Sequence, residues 1–507
     1  MNSGYVMTLQ ALFPDSQLPP HQAALQVTGL SNDSRRIQGG DLFMACPGAH
    51  HDGVQFISAA IAQGAVAVVC EDSAGIDGLI DGLIDGLGVP LIELKNLSDC
   101  QAELASRFYR QPSQSQQIIG ITGTNGKTSC SHFIAQALSL LGRRCAVIGT
   151  TGNGFIGALE AATHTTPDAV RLQQLLAQLR DQGAEAVALE VSSHALEQQR
   201  VAQVVFAQAV FTNLSRDHLD YHGSMQAYAA AKARLFLETG VKQAVINTDD
   251  EYGRTLCQRL SASESHRIDL IAIGEQPQPG VKQLRIRSSN LHRQGIRAEI
   301  DSPWGRLVIN SPLLGAFNLY NLLSALGVLL HSGFEPQPAL AVLNQLQGVE
   351  GRMQAFAVEG KPLLVVDYAH TPDALEKALV SLQQHSSGKL WCVFGCGGDR
   401  DRGKRPLMAR VAEQHADRLV VTSDNPRFED PETIIDALMS GLQAPAKAVR
   451  QVDRRKAIEA TINQAAPGDV VLVAGKGHEN YQEIKGVRSP FSDIELVRKS
   501  LGVIDAD

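Results

Sequence analysis

Four successive residues, Asp424-Asn425-Pro426-Arg427, put a carboxylate, an amide and a guanidinium on one proline-stiffened turn. That set suits a ligand carrying both ammonium and carboxylate, because Arg pairs with carboxylate bidentately. Asp-Asn-Pro is also a common turn, so these residues alone do not decide the matter. A second segment, Gly123-Thr124-Asn125-Gly126-Lys127-Thr128, has the form of a phosphate loop. Its N–H groups and the helix start that follows would cradle phosphate oxygens. Lys127 would reach terminal phosphates, and Thr128 would offer its hydroxyl to Mg²⁺. The general pattern wants Gly where Ile121 stands, so this is the shorter Gly-x-x-Gly-Lys-Thr form. A third set begins at Glu190, which ends an apolar run and precedes Val191-Ser192-Ser193-His194. A carboxylate there can serve Mg²⁺ directly or through water. Asn213–His222 crowds Arg216, Asp217, His218, Asp220 and His222 into ten positions. Without Cys or an HExxH spacing it makes a poor zinc site. It reads instead as a wall of an Mg²⁺–phosphate site.

Positioning these groups falls to short β-branched runs that alternate with helix-like stretches. The runs are Val66–Val69, Gln117–Thr122, Ala186–Val191, Ala209–Thr212, Ala244–Asn247, Leu363–Asp367, Leu390–Phe394, Leu419–Thr422 and Val470–Ala474. Such alternation predicts parallel sheets with crossover helices, and ligands bind at the carboxyl ends of such strands. Helices are expected over Cys130–Leu141 and Tyr228–Phe236. Residues 281–314 alternate apolar and polar side chains, which predicts a small antiparallel excursion. Polar, patternless breaks at Gln111–Ser115 and Gln347–Gly351 divide the chain into units of 1–110, 111–348 and 349–507. The Ile-Asp-Gly-Leu repeats of 76–87 carry too much glycine for a firm helix and read as a surface loop or frayed helix.

The length of 507 residues suits about three domains. Apolar residues make up 44% and charged residues 19%, as in ordinary globular proteins. No apolar run reaches the ~18 residues of a membrane span, and no secretory leader pattern is present. The eight scattered cysteines read as reduced thiols of a cytoplasmic protein. A net charge of -8 argues against nonspecific nucleic-acid binding.

Gly123–Thr128, Glu190–His194, Asn213–His222, Gly315-Ala316-Phe317-Asn318, Asp367-Tyr368-Ala369-His370 and Gly475-Lys476-Gly477-His478-Glu479 occur in an order that resembles the ATP-dependent Mur ligases over nearly the whole chain. Asp33-Ser34-Arg35 and Asp424–Arg427 make it similar to the members that add diaminopimelate. The resemblance implies three α/β domains: an N-terminal uridine-binding domain, a central P-loop ATPase domain with a mainly parallel sheet, and a C-terminal Rossmann-like domain. It implies ATP and Mg²⁺ as cofactors and a monomer without membrane insertion or nucleic-acid partners. The implied substrates are UDP-N-acetylmuramoyl-L-alanyl-D-glutamate and meso-2,6-diaminopimelate.

Residue by residue, the resemblance assigns Ser34 to the uridine side, with 49–51 as a looser second contact. Thr165, Thr166, Ser192, Gln198 and Arg200 match positions holding the muramoyl-dipeptide. His164 stands where Asn is frequent. Gly123, Thr124, Asn125, Gly126, Lys127, Thr128 and Ser129 would hold ATP, with Asn318, Arg352, Asp367 and His370 near adenine, ribose or phosphates. Thr128, Glu190 and His218 match the Mg²⁺ sites. Lys232 matches a lysine the family carbamylates, whereas sequence physics alone reads it as a surface lysine. Lys127, Glu190, His218 and Lys232 are the implied catalytic set. Arg400, Asp424, Asn425, Pro426, Arg427, Gly475 and Glu479 match the amino-acid pocket. The implied chemistry is attack of the D-glutamyl γ-carboxylate on the γ-phosphate of ATP, giving an acyl phosphate that the amine of diaminopimelate then opens. His218 and the Lys232 carbamate are candidate bases for that amine. Three substrates must converge, so domain closure is expected. The alternatives are a lysine-adding relative, which would lack Arg427, another Mur-type ligase, a folylpolyglutamate synthase, or a nucleotide-binding regulator with a degenerate site.

Overall fold

The computed structural model describes residues 4–47, 52–71, 88–263, 267–292 and 294–502. The repeat at 76–87 and the loop 49–51 lie outside them. The described chain forms two compact units that divide at Ile271–Ala272.

The first unit opens with four parallel strands in chain order, Gly29–Ser31, Asp41–Ala45, Ala67–Glu71 and Leu91–Leu94. The helix Leu97–Phe108 covers them, burying Leu97, Leu104, Ala105 and Phe108 in their core. A larger sheet follows. Its five parallel strands run in the order Cys145–Gly149, Ala186–Glu190, Gln117–Thr122, Phe206–Phe211 and Gln243–Asn247. Two short antiparallel strands, Gly152–Phe155 and Ala158–Glu160, extend one edge. Every residue of Cys145–Gly149 and Ala186–Glu190 is buried, as expected of strands covered on both faces. Gln117–Thr122 lies between Ala186–Glu190 and Phe206–Phe211. The connection from Gln117–Thr122 leads to Cys145–Gly149 on one side and that from Ala186–Glu190 to Phe206–Phe211 on the other, and ligands bind at such a switch of direction.

The second unit begins with the antiparallel strands Lys282–His292, Gly295–Ser302 and Gly305–Ser311, the expected excursion. After the helices Ala316–His331 and Pro336–Leu343 comes a six-stranded sheet. Its order is Gln354–Phe356, Leu363–Asp367, Val470–Ala474, Leu390–Phe394, Arg418–Thr422 and Val449–Gln451, with only the first strand antiparallel. Leu363 and Val365 join the core on one face, Leu364 and Val366 the core on the other. That is the two-residue period of a sheet buried on both sides.

Four predicted strands coincide with the observed ones: Gln117–Thr122, Leu363–Asp367, Leu390–Phe394 and Val470–Ala474. The strand expected at Ala209–Thr212 starts earlier, at Phe206, with a register shift between Phe206 and Gln208. A bulge of this kind breaks the alternation that marks a strand. All eight cysteines are described, and no disulfide joins them. No described helix is long and apolar enough to cross a membrane.

Candidate active site

The strand Gln117–Thr122 runs through Gly123–Gly126 into the helix Lys127–Leu140. The helix starts three residues before its predicted limit, because Gly126 at φ 87° supplies the break. A Cβ on Gly123 would sit 1.9 Å from the Thr212 hydroxyl, so only glycine fits there. Lys127 Nζ donates to the carbonyls of Gly123 (2.8 Å) and Thr124 (2.9 Å). Ser129 lies in the first helical turn, where backbone N–H groups lack intrahelical partners. The neighbouring strand end braces the loop. Asn213 Oδ1 accepts from Asn125 N and Nδ2 donates to Asn125 O, each at 3.0 Å. Thr124 N donates to Asn213 O at 2.8 Å.

Glu190 is fully buried at the end of the adjacent strand. Its carboxylate accepts from Thr128 Oγ1 (3.0 Å), Thr150 N (3.0 Å) and Thr150 Oγ1 (3.2 Å). Burial pushes its pKa up, with the Lys127 ammonium opposing. A cation beside a carboxylate so placed favours its charged form against burial. Among the described residues no three His, Cys, Asp or Glu side chains gather as a metal cage. The Thr128 hydroxyl and Glu190 carboxylate are hard oxygen donors, and Mg²⁺ commonly takes one or two such protein ligands beside phosphate and water. The donor set therefore fits.

Lys232 corrects the surface-lysine expectation. It is 1% exposed, its Nζ donates to Gly123 O at 2.8 Å, and it lies 4.4 Å from the centre of the Tyr228 ring. Burial first, then Lys127, holds its pKa well below the usual lysine range, with Asp217 opposing. The spacing Tyr228, Lys232, Phe236 places all three on one face of the helix Met225–Leu237, and all three are buried. His218 adopts φ 52° before the short helix Leu219–His222. Its Nε2 is 3.5 Å from Asp217 Oδ2, and its ring lies edge-on to His194, 4.9 Å between centres. Burial lowers its pKa, against Asp217. The His222 side chain is buried between Glu197 (3.0 Å) and Ser193 (2.9 Å).

Thr165, Thr166, Ser192, Gln198 and Arg200 come together in the same unit. Thr165 Oγ1 and Thr150 Oγ1 are 3.0 Å apart. Thr166 Oγ1 donates to Glu190 O (2.8 Å) and accepts from Ser192 N (3.0 Å). Arg200 Nη1 donates to Thr166 O at 3.1 Å, and its Nε to Gln198 Oε1 at 2.9 Å. A cleft of about 1140 Å³ is lined by Ser34, His164, Gln198 and Arg200 among others.

In the second unit Asn318 is buried near the start of its helix, donating to Leu314 O at 2.7 Å and accepting from Asn321. The Arg352 guanidinium lies 4.7 Å from the centre of the Tyr368 ring, and its buried Nε has no hydrogen-bond partner. Asp367 accepts from Met353 N (2.7 Å) and Ala369 N (2.8 Å). His370 Nδ1 bonds Tyr368 O at 2.8 Å.

Asp424 and Asn425 are buried just beyond the strand Arg418–Thr422. Asn425 Nδ2 donates to Glu479 Oε2 at 2.7 Å. A Cβ on Gly475 would lie 2.4 Å from Asp424 Oδ2. Arg427 holds φ 52°, and its Nη1 donates to Gly398 O at 2.7 Å. Arg400 is exposed on the loop after the strand Leu390–Phe394. Two groups escaped sequence reasoning. Thr150 holds both Glu190 oxygens, and nothing in the pattern marks it. Lys476 is wholly buried and donates to Asn425 Oδ1 (3.0 Å) and Glu479 Oε2 (3.1 Å). Its signal was a lysine set among glycines beside Glu479.

Three family models match this chain in order: "Mur ligase family, catalytic domain" over 26–109, "Mur ligase middle domain" over 121–329, and "Mur ligase, glutamate ligase domain" over 351–477. A UDP-N-acetylmuramoyl-L-alanyl-D-glutamate--2,6-diaminopimelate ligase of Pseudomonas aeruginosa is 50% identical, covering 98% of both chains. One of the same name from Coxiella burnetii is 47% identical, over 99% of this chain and 100% of its own. A solved structure of that name shares 39% identity and a TM-score of 0.72 over 98% of this chain and 99% of its own. The MurF ligase of Thermotoga maritima in complex with ADP, 19% identical, shares the fold at TM-score 0.61 over 93% and 96%. With all three domain models in sequence along one chain, and near-half identity from end to end, this protein belongs to the Mur ligase family.

Proposed function

We propose that the protein is an ATP-dependent amide ligase of peptidoglycan precursor synthesis, active in the cytoplasm. It joins meso-2,6-diaminopimelate to the D-glutamyl γ-carboxylate of UDP-N-acetylmuramoyl-L-alanyl-D-glutamate, releasing ADP and phosphate. The names of relatives near half identity support the reaction. The observation that carries the substrate choice is the loop Asp424–Arg427. Its half-buried guanidinium spends one N–H on Gly398 O and keeps others for a carboxylate, which diaminopimelate has at its distal end and lysine lacks. We assign domains to 1–110, 111–348 and 349–507; the three family matches fall inside these limits.

A carboxylate is a poor electrophile, so the reaction needs phosphoryl transfer first. The loop Gly123–Thr128 and Ser129 orient the ATP phosphates, and Lys127 exchanges its carbonyl contacts for phosphate oxygens. Thr128 and Glu190 would hold Mg²⁺, with His218 and carbamylated Lys232 at a second ion, and the metal would supply charge neutralisation for the transferring phosphoryl group. Thr165, Thr166, Ser192, Gln198 and Arg200 orient the acceptor peptide, and Ser34 holds the uridine end. Asn318, Arg352, Asp367 and His370 serve the nucleotide. Asp424, Asn425, Pro426, Arg427, Arg400, Gly475 and Glu479 seat the incoming amino acid. Its neutral amine opens the acyl phosphate, phosphate leaves, and the amine's proton passes to solvent.

Phosphate release from ATP tests the reading. Release is expected only with the UDP-linked dipeptide and diaminopimelate together. Release with lysine in place of diaminopimelate would sink the specificity assignment, and no release in any combination would sink the ligase assignment.

A further inference from the structure

Beneath the amino-acid pocket lies an ion pair that no motif marks. Arg454 begins the helix Arg454–Gln464 and Asp493 begins the helix Asp493–Leu501. Both side chains are 0% exposed. Arg454 Nε and Nη2 donate to the two Asp493 oxygens at 2.8 and 2.6 Å. The same guanidinium reaches two main-chain carbonyls, Ala474 O from Nη2 at 2.9 Å and Ser423 O from Nη1 at 3.4 Å. These carbonyls belong to the residues just before Gly475 and Asp424.

The sheet explains why a bridge is needed. The strands Arg418–Thr422 and Val470–Ala474 are not neighbours, since Leu390–Phe394 lies between them. Phe394, the last residue of that strand, pairs with Val421, and Val393 pairs with Val473. Neither Ser423 nor Ala474 therefore has a ladder partner on the middle strand. Their spacing decides how far the Asp424 carboxylate stands from Gly475, a gap so close that a Cβ on Gly475 would meet Asp424 Oδ2 at 2.4 Å. A buried ion pair is weak as a source of stability, because desolvation offsets attraction. The planar fork has a geometric use that an apolar side chain would not supply. Asp424 and Glu479 also act electrostatically on Arg454.

We propose that Arg454, held by Asp493, is a positioning residue for the incoming amino acid: it ties Ser423 O to Ala474 O and so sets the gap between Asp424 and Gly475. The inference rests on the assignment of this pocket to diaminopimelate. Because Arg454→Ala would strand a buried carboxylate, the test uses the double variant Arg454→Met/Asp493→Leu and the charge-keeping Arg454→Lys. In steady-state assays the double variant is expected to raise KM for diaminopimelate by about tenfold or more. KM for ATP and for the UDP-linked dipeptide should stay within about twofold of wild type, and preference for diaminopimelate over lysine should fall. Arg454→Lys should recover part of the loss. An unchanged KM for diaminopimelate, an equal rise in all three KM values, or loss of the folded circular dichroism spectrum in both variants would overturn the proposal. Failure of the wild-type enzyme to use diaminopimelate would instead overturn the pocket assignment.

Discussion

At the scale of single residues, Lys232 separates what pattern can and cannot tell. An isolated lysine in an alanine-rich helix reads as solvated, yet its spacing from Tyr228 and Phe236 puts it in the buried stripe. Burial beside Lys127 favours the neutral amine, the form that adds carbon dioxide. Lys232→Ala is therefore expected to abolish turnover, with partial rescue by a short carboxylate such as acetate, read as phosphate release. Wild-type activity in the variant would reject a carbamate. Arg427 makes a different case, because its charge stands in plain view in Asp424–Arg427 while its anchoring on Gly398 does not. Arg427→Ala should raise KM for diaminopimelate by roughly 10–100-fold, the range for losing a charged hydrogen bond, with KM for ATP little changed. Comparable shifts in both would make the residue structural. Thr150 and Arg454 carry no local signal, since each acts on groups distant in sequence.

At the scale of elements, strand limits were most legible where a β-branched run is buried on both faces. Gln117–Thr122 and Val470–Ala474 are nearly or wholly buried and are each followed by glycine, so neither periodicity nor turn chemistry misleads. Strand starts with a bulge, as at Phe206, and helix starts inside a functional loop, as at Lys127, depart from pattern because tertiary contacts decide them. The phosphate loop shows such contacts directly. Its shape depends on Asn213, which returns both a donor and an acceptor to Asn125 across 88 residues. Asn213→Ala leaves those backbone groups to water and loosens the loop. The expected result is a rise in KM for ATP of about tenfold, as for one to two lost hydrogen bonds. KM for diaminopimelate should hold, and isothermal titration with an ATP analogue would check the affinity separately. Equal affinity in variant and wild type would mean the loop holds its shape unaided.

At the scale of the whole chain, the domain series was legible because motifs in a fixed order leave few alternatives, whereas the ion pairs that stiffen it came only from the fold. Arg405 and Glu429 are the clearest case. Their side chains are 2% and 10% exposed, and Glu429 accepts from Arg405 at 2.7 and 3.1 Å and from Asp399 N at 2.6 Å. The Arg405 hydrogen bonds, then the Asp399 N–H, pull the Glu429 carboxyl from 4.5 to about 2, against burial. The native state thus binds this proton more weakly than the unfolded chain does. The resulting stability is fully present above 4.5 and is lost as pH falls through about 2. Thermal scans across that interval should show Tm falling in the wild type. In Glu429→Gln, Tm should start lower at neutral pH, because the buried guanidinium of Arg405 loses its counter-charge. The slope across the interval should be shallower, and the two proteins should converge at its acid end. Parallel curves for wild type and variant would show that acid lability arises among the other carboxylates, 53 Asp and Glu in all against 45 Lys and Arg, rather than from this pair.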